Sequence, residues 1–462
     1  MAWEAEWENP LTEYVRRFDS LIGDRRTGWT FREVIKGIIG AGKLVCQRIA
    51  AHSAVWAATG KGAQRVIRLA KGESTKRSQL DADHLTEQLR AYGLAELAES
   101  ETDELWLMGD GSDLRKPYAQ MLPNLMQVKD LDGKLVPGYR TLNVLGVTPQ
   151  RRGVLYHRLF SSNEAEFISE PIEAQRAIQT VQQAIQAQQR WGSVTWVLDR
   201  GFDDVAVWRT IWELKQHVVC RVKHTERLID YQLPDGRWRS GDVAGARGAL
   251  QPYLQAQTEM VVVLGRQTRP KAQRVTAEIQ ACPLRLSYDA NVRREGDKLP
   301  SHQDLWLVEV QLLRTRLEPW LLITNWPVTD AESALRIFRM YRQRWAVEDA
   351  FKFTKECLGW EDVQLLDLTG IRTLVALSWV AAAFLYELGV TLDWPEVRLL
   401  ANLGGWEYHK ERKPGKIALT RGLQRILNML STEAFLTAYI QEHGQLPPRI
   451  SALLEGWTPR QL

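Results

Sequence analysis

Two short apolar runs constrain this chain more than anything else in it. "ELWLMGD" at 104–110 and "SVTWVLD" at 193–199 each end in an aspartate, with glycine next or one residue beyond. Each run reads as an apolar strand that ends at its aspartate. "GYRTLNVLGV" and "RGVLYHRLFS" alternate like paired strands. "EAQRAIQTVQQAIQAQQR" and "VAVWRTIWELKQ" read as helices, and "HVVCRVKH" and "PWLLITN" return to buried strands. This mixture predicts a layered α/β core. In open α/β sheets, sites form outside the carboxyl ends of strands. On neighbouring strands, Asp110 and Asp199 would therefore stand side by side.

The stretch "MYRQRWAVEDAFKFTKE", 340–356, has no Pro or Gly and reads as one helix. At about 100° per residue, Tyr341, Arg344, Glu348 and Lys355 fall within an arc of roughly 60° along about 21 Å of helix. A salt-bridged solvent face would explain this stripe. So would one metal-binding carboxylate flanked by phosphate-binding groups. Asp110, Asp199 and Glu348, with no thiol or imidazole beside them, are hard oxygen donors suited to Mg²⁺, with Mn²⁺ as a substitute. Two such ions about 3.5–4 Å apart can activate a water or a 3′-hydroxyl and stabilise a leaving oxygen. Arg344 and Lys355 could clamp flanking phosphates. Asp113, Asp203, Asp204 and Asp349 are rival acids. Asp113 is the strongest, because "DGSD" offers two acids in one turn.

The 462 residues allow two or three domains. Their 45% hydrophobic and 25% charged content describes a soluble protein with a substantial core. Four distant cysteines lack zinc spacing and read as reduced thiols of a cytosolic protein. "MAWEAEWENP" is no signal peptide, and "LVALSWVAAAFLYEL" is too short to span a membrane. The expectation is a cytoplasmic bacterial protein, nucleoid-associated when bound to DNA and without a membrane partner. Its net charge of +4 is compatible with nucleic acid. In "KGAQRVIRLAKGESTKR", six basic residues accompany the single acid Glu73. Arg65 and Arg68 lie one turn apart there, on an amphipathic basic helix suited to DNA. "GIIGAGKL" nearly matches a phosphate-binding loop, but Leu44 stands where Ser or Thr would be needed and a helical pattern precedes it.

The order Asp110, Asp199, Glu348, with a β-rich stretch before the glutamate and Tyr-x2-Arg-x3-Glu-x6-Lys on its helix, resembles the DDE transposases of bacterial insertion sequences. The resemblance covers about residues 100–390 and points to the cut-and-paste subclass with the Tyr-Arg-Glu-Lys signature. It implies a Mg²⁺-dependent enzyme with a ribonuclease-H-like core interrupted by a β-rich insertion. The implied division is a helical end-recognition domain at 1–95, core at 96–224, insertion at 225–318, core at 319–390, and a helical dimerisation region at 391–462. It further implies double-stranded DNA partners, both transposon ends and target, a homodimeric synaptic complex, and a hairpin intermediate before strand transfer. Asp110, Asp199 and Glu348 would be the catalytic metal ligands. Tyr341, Arg344 and Lys355 would contact phosphates, and Trp320 would stack on a base flipped out during hairpin formation. A nuclease that cuts without transposing and a domesticated DNA-binding protein are the alternatives.

Overall fold

The computed structural model describes residues 10–53, 56, 61–72, 78–250, 255–264, 271–287, 302–407 and 414–454. Among them twelve strands form one mixed sheet. They are β1 (Glu104–Arg115), β2 (Met126–Lys129), β3 (Leu135–Val147), β4 (Arg152–Phe160), β5 (Ser193–Leu198), β6 (His217–Arg221), β7 (Leu228–Gln232), β8 (Trp238–Asp242), β9 (Gln255–Leu264), β10 (Lys271–Ser287), β11 (His302–Leu312) and β12 (Trp320–Thr324). Their spatial order is β2-β3-β1-β5-β6-β12-β11-β10-β7-β8, with β4 on β3 and β9 on β10. Only β1–β5 and β5–β6 pair in parallel among these strands. The helices of nine or more residues are α1 (Arg25–Ala41), α2 (Gly62–Ala70), α3 (Ala82–Ala98), α4 (Glu170–Gln188), α5 (Val205–Glu213), α6 (Ala331–Gln343), α7 (Trp345–Leu358), α8 (Leu368–Thr391), α9 (Trp394–Leu403) and α10 (Lys416–His443).

Strand alternation sorts the side chains into two cores. Leu107, Leu198 and Cys220 pack with Val181 of α4 and Trp208 of α5. Met108, Val197 and Val219 face the other way, toward Phe338 of α6 and Val347 of α7. The N-terminal helices share this second core, through Ile35 and Ile38, with Trp379 of α8 and Ile426 of α10. They have no separate core of their own among the described residues. The central strands are thus covered on both faces, as their continuous apolar runs require.

The structure departs from the sequence reading at several points. β1 does not end at Asp110. Its parallel ladder with β5 stops at Gly109, but antiparallel pairing with β3 along its other edge continues to Arg115. The predicted single helix over 340–356 is two helices, α6 and α7, joined at Arg344. There Arg344 N bonds to Tyr341 O and Val347 N bonds to Arg344 O. These i→i−3 bonds tighten the turn and interrupt the regular helix. The β-rich stretch at 225–318 supplies β7 to β11, and these extend the same sheet past β12. The apolar run from Leu374 belongs to a 24-residue helix, long and apolar enough to cross a membrane, with 67% of its most apolar window buried in protein. In "GIIGAGKL", Gly37 lies within α1 and packs on the Ile49 carbonyl. Glu73, Lys76 and Arg77 lie outside the described residues, as does most of "GRQTRPKAQR" and of "YHKERKPGK".

Helices α9 and α10 meet backbone to backbone at two glycines. A Cβ on Gly422 would stand 1.9 Å from the Leu400 carbonyl oxygen, and one on Gly404 would stand 1.9 Å from that of Ala418. Gly422→Ala is therefore expected to force the pair apart and cost about 1–3 kcal/mol, as overpacking does. Urea unfolding of the full chain checks this, and an unchanged midpoint would mean that the two helices do not pack this way.

Candidate active site

Asp110 and Asp199 leave adjacent parallel strands at the same level and on the same face. Gly109 pairs with Leu198, so the next residue of each strand is an aspartate. Alternation turns both toward α6 and α7, the side on which Met108 and Val197 are buried. The Asp110 side chain is only 13% exposed, and its Oδ1 accepts a hydrogen bond from Gly111 N at 2.8 Å. Asp199 caps the turn that follows β5, with Oδ1 accepting from Gly201 N at 2.7 Å. Burial and the nearby Asp199 push the Asp110 carboxyl up to about 7, Glu348 adds to the rise, and Arg344 opposes it.

Arg344 binds this cluster together. Its Nη1 lies 3.3 Å from Asp110 Oδ2, and its Nη2 donates to Glu348 Oε1. Its side chain is 9% exposed, against 51% for Glu348. Burial opposes the guanidinium charge, but Tyr341, Glu348 and Asp110 outweigh it and raise its pKa. The Arg344 Nε and the Tyr341 hydroxyl are buried without hydrogen-bond partners. Unsatisfied buried donors are uncommon in native proteins, and these two border an acidic cluster. Tyr341 lies 5.7 Å by ring centroid from the guanidinium carbon, and burial raises its phenol pKa.

Lys355 lies one strand edge away. Its Nζ donates to the Asp113 carbonyl at 2.9 Å and stands 3.8 Å from Glu361. Burial lowers its pKa against the pull of Glu361. Arg115 holds Glu361 with bonds of 2.6 and 2.8 Å. Neither Arg115 nor Glu361 falls within the helical stripe, so sequence spacing could not have indicated them.

The rival acids are otherwise engaged. Asp113 is three residues past Asp110 on an unbroken ladder and so points to the opposite face. Asp203 is buried on Arg227 and on the amides of Lys223 and His224. Asp204 caps α5. Asp349 pairs with Lys416 at 2.6 Å and with Arg152 at 3.4 Å.

Trp320 is buried, with its ring 6.1 Å from Phe338 and 5.5 Å from Tyr341. Its faces are occupied by protein, so a base could stack on it only after repacking. Trp326 is also engaged, stacked 3.6 Å from His217. Arg65 and Arg68 lie on α2, which buries Val66, Leu69 and Ala70. Arg65 sits 6.0 Å from the Trp56 ring, and Arg68 is exposed. Both belong to the N-terminal layer and touch none of the three acidic residues.

The family model of the transposase DDE domain matches residues 126–385, more than half of the 462 residues. The chain belongs to the DDE transposase family. The matched span includes Asp199 and the whole of α6 and α7, and it begins after Asp110. Among solved structures, the chain is similar to a piggyBac transposase synaptic complex with hairpin DNA, determined by cryo-electron microscopy, at 10% identity and a TM-score of 0.40. The likeness covers 79% of this chain and 59% of that one, so the chain spans less than two thirds of that structure's length. No curated protein matches.

DDE transposases use divalent metal ions. The chemistry of the transposase's donors fits such an ion, because the acids at the strand ends are all carboxylates and Asp110 resists ionisation beside Asp199. Their placement is looser than the sequence spacing implies. Among the described residues no three His, Cys, Asp or Glu side chains are grouped to hold an ion. Glu348 turns to Arg344, where a guanidinium relieves the repulsion that three converging carboxylates would suffer.

A raised carboxyl pKa makes the folded state most favoured below the ordinary value of 3.8, with stability lost as pH rises through about 7. In metal-free protein, Asp110→Asn should therefore raise the melting temperature at pH 8 and make little difference near pH 4. A variant that melts lower at pH 8 than at pH 4, relative to wild type, would contradict the burial of this charge.

Proposed function

We propose that this transposase excises its own element by cut-and-paste and inserts it by strand transfer. The observation that carries this reading is the meeting of Asp110, Asp199 and the Arg344–Glu348 pair at the ends of two parallel strands, with Lys355 beside them. Asp110, Asp199 and Glu348 would hold Mg²⁺, which would supply activation of the attacking oxygen and stabilisation of the leaving one. Mn²⁺ carries the same charge and takes the same oxygen donors. Glu348 reaches the two aspartates by exchanging its bond to Arg344. That exchange frees the Arg344 guanidinium for a phosphate, for which its planar donors are suited. Tyr341 supplies a buried hydroxyl donor, and Lys355 fixes the backbone beyond Asp113. Together these groups orient a phosphodiester for in-line attack by water at the transposon end. The 3′-hydroxyl released by that nick then attacks the opposite strand, closing a hairpin on the transposon end. Hairpin opening returns the 3′-hydroxyl for attack on target DNA.

The remaining assignments follow the same reading. The core is ribonuclease-H-like, with 225–318 as its insertion. Arg65 and Arg68 of the helical N-terminal region bind the inverted repeats, and the C-terminal helices join two copies in the synaptic complex. Trp320 enters chiefly as support for Tyr341, because its ring already packs on that side chain and on Phe338.

Asp199→Ala should abolish nicking of duplexes carrying the inverted repeats that flank its gene, while binding changes by only a few fold. Gel analysis with Mg²⁺ should show nicked, hairpin and strand-transfer products for wild type. Nicks without strand transfer would leave a nuclease. Trp320→Ala should lower thermal stability and reduce nicking and hairpin formation together. A variant that nicks normally and loses only the hairpin would restore Trp320 as the base-stacking residue.

A further inference from the structure

Helix α7 does not simply continue α6, because the regular helix is interrupted at Arg344. Its position over the strand ends is therefore not fixed by α6 alone. Asp349, Phe353 and Cys357 recur every four residues along α7, which places them on one face. That face meets α10. Lys416 Nζ donates to Asp349 Oδ2 at 2.6 Å and reaches the Asp349 carbonyl at 3.3 Å. It also stands 5.1 Å from the centroid of the Phe353 ring and 5.2 Å from that of Tyr386. Farther along α10, Gln424 Nε2 donates to the Cys357 carbonyl at 3.2 Å.

The two contacts are in register. Asp349 to Cys357 and Lys416 to Gln424 span the same number of residues, about 12 Å of helix in each case. The helices thus run side by side in the same direction, joined at two rungs. Rungs at that separation fix both the height of α7 along its axis and its rotation. Arg152, the first residue of β4, adds another hold on Asp349 Oδ2 at 3.4 Å. Glu348 directly precedes Asp349, so its carboxylate is aimed by whatever holds Asp349. With the backbone fixed there, Glu348 leaves Arg344 for the aspartates by turning about its own side-chain bonds.

We propose that Lys416 is a positioning residue for the metal site, which holds Asp349 and so fixes the first turn of α7 and the reach of Glu348 toward Asp110 and Asp199. This role, which rests on the reading of Glu348 as a metal ligand, makes α10 part of the chemistry of its own chain. Gln424 secures the far end of the same helix, just beyond Lys355. Lys416 touches neither the ion nor the DNA. It acts through Asp349, as the outer partners of a metal site act through its ligands.

The test uses Lys416→Met in the full-length protein. Methionine keeps a stem between the two rings and removes the ammonium. Asp349 retains Arg152, so without metal the variant should melt close to wild type. Two quantities are read against Mg²⁺ concentration: the rise in melting temperature, and the rate of nicking on duplexes carrying the inverted repeat that flanks its gene. Lys416→Met should need roughly tenfold to a hundredfold more Mg²⁺ for the same rise and for half-maximal nicking, as loss of an outer partner of a metal site does. It should bind repeat DNA as wild type does. Asp349→Asn should shift the Mg²⁺ requirement the same way, and the double variant should add no more than about twofold to the larger single shift, because the two residues act through one contact. A contact that only stabilises the fold predicts a lower melting temperature without metal and an unchanged Mg²⁺ requirement, and that outcome overturns the role. So does a double variant in which the two shifts multiply. If Lys416→Met does not fold, an Asp349→Asn variant with the wild-type Mg²⁺ requirement overturns it. If wild type neither gains stability from Mg²⁺ nor nicks the duplexes, the metal-site reading falls first and takes the role of Lys416 with it.

Discussion

The buried guanidinium of Arg344 is the interaction on which the site depends. It carries positive charge into a region where Asp110 is almost fully buried and Asp199 and Glu348 lie close by. Removing the guanidinium would leave the carboxylates of Asp110, Asp199 and Glu348 repelling one another without compensation, a loss of about 3–5 kcal/mol for a buried ionic group. Arg344 also stands at the junction of α6 and α7. One side chain therefore joins the helix layer to the sheet at the point where the helical path is interrupted. Glu348 remains half exposed, as the proposed exchange of its bond to Arg344 requires.

The sheet determines what Arg344 can reach. Parallel pairing of β1 with β5 brings Asp110 and Asp199 to one level on adjacent strands, and alternation turns both to one face. β1 continues beyond that level, where β3 still pairs with it, so Asp113 lies farther along the strand and its carbonyl accepts from Lys355 of α7. The site is thus supported on rigid, hydrogen-bonded elements, which favours accurate placement of reacting groups.

Much of this was legible in the sequence because burial leaves a direct trace. The continuous apolar runs before Asp110 and Asp199 marked the central strands. The intervals among Tyr341, Arg344, Glu348 and Lys355 marked helical structure here, although two helices meeting at Arg344 supply it. What remained hidden depends on partners distant in the chain. The break falls at Arg344, whose side chain reaches Asp110, 234 residues away, and no Pro or Gly marks it in the sequence. The continuation of β1 depends on β3. The support of Lys355 by Arg115 and Glu361 needs three segments to meet. Trp320 has a suitable residue type in a suitable strand, but only packing reveals that its ring is covered.

Affinity cleavage by iron tests the central claim most directly. Fe²⁺ in place of Mg²⁺, with ascorbate and peroxide, cuts the polypeptide where the ion is bound. With the protein on its repeat DNA, the account predicts cuts near residues 110, 199 and 348, all suppressed by excess Mg²⁺ and all lost together in Asp199→Ala. Cuts confined to other parts of the chain, or cuts near 110 and 199 without one near 348, would contradict a site built from these three carboxylates.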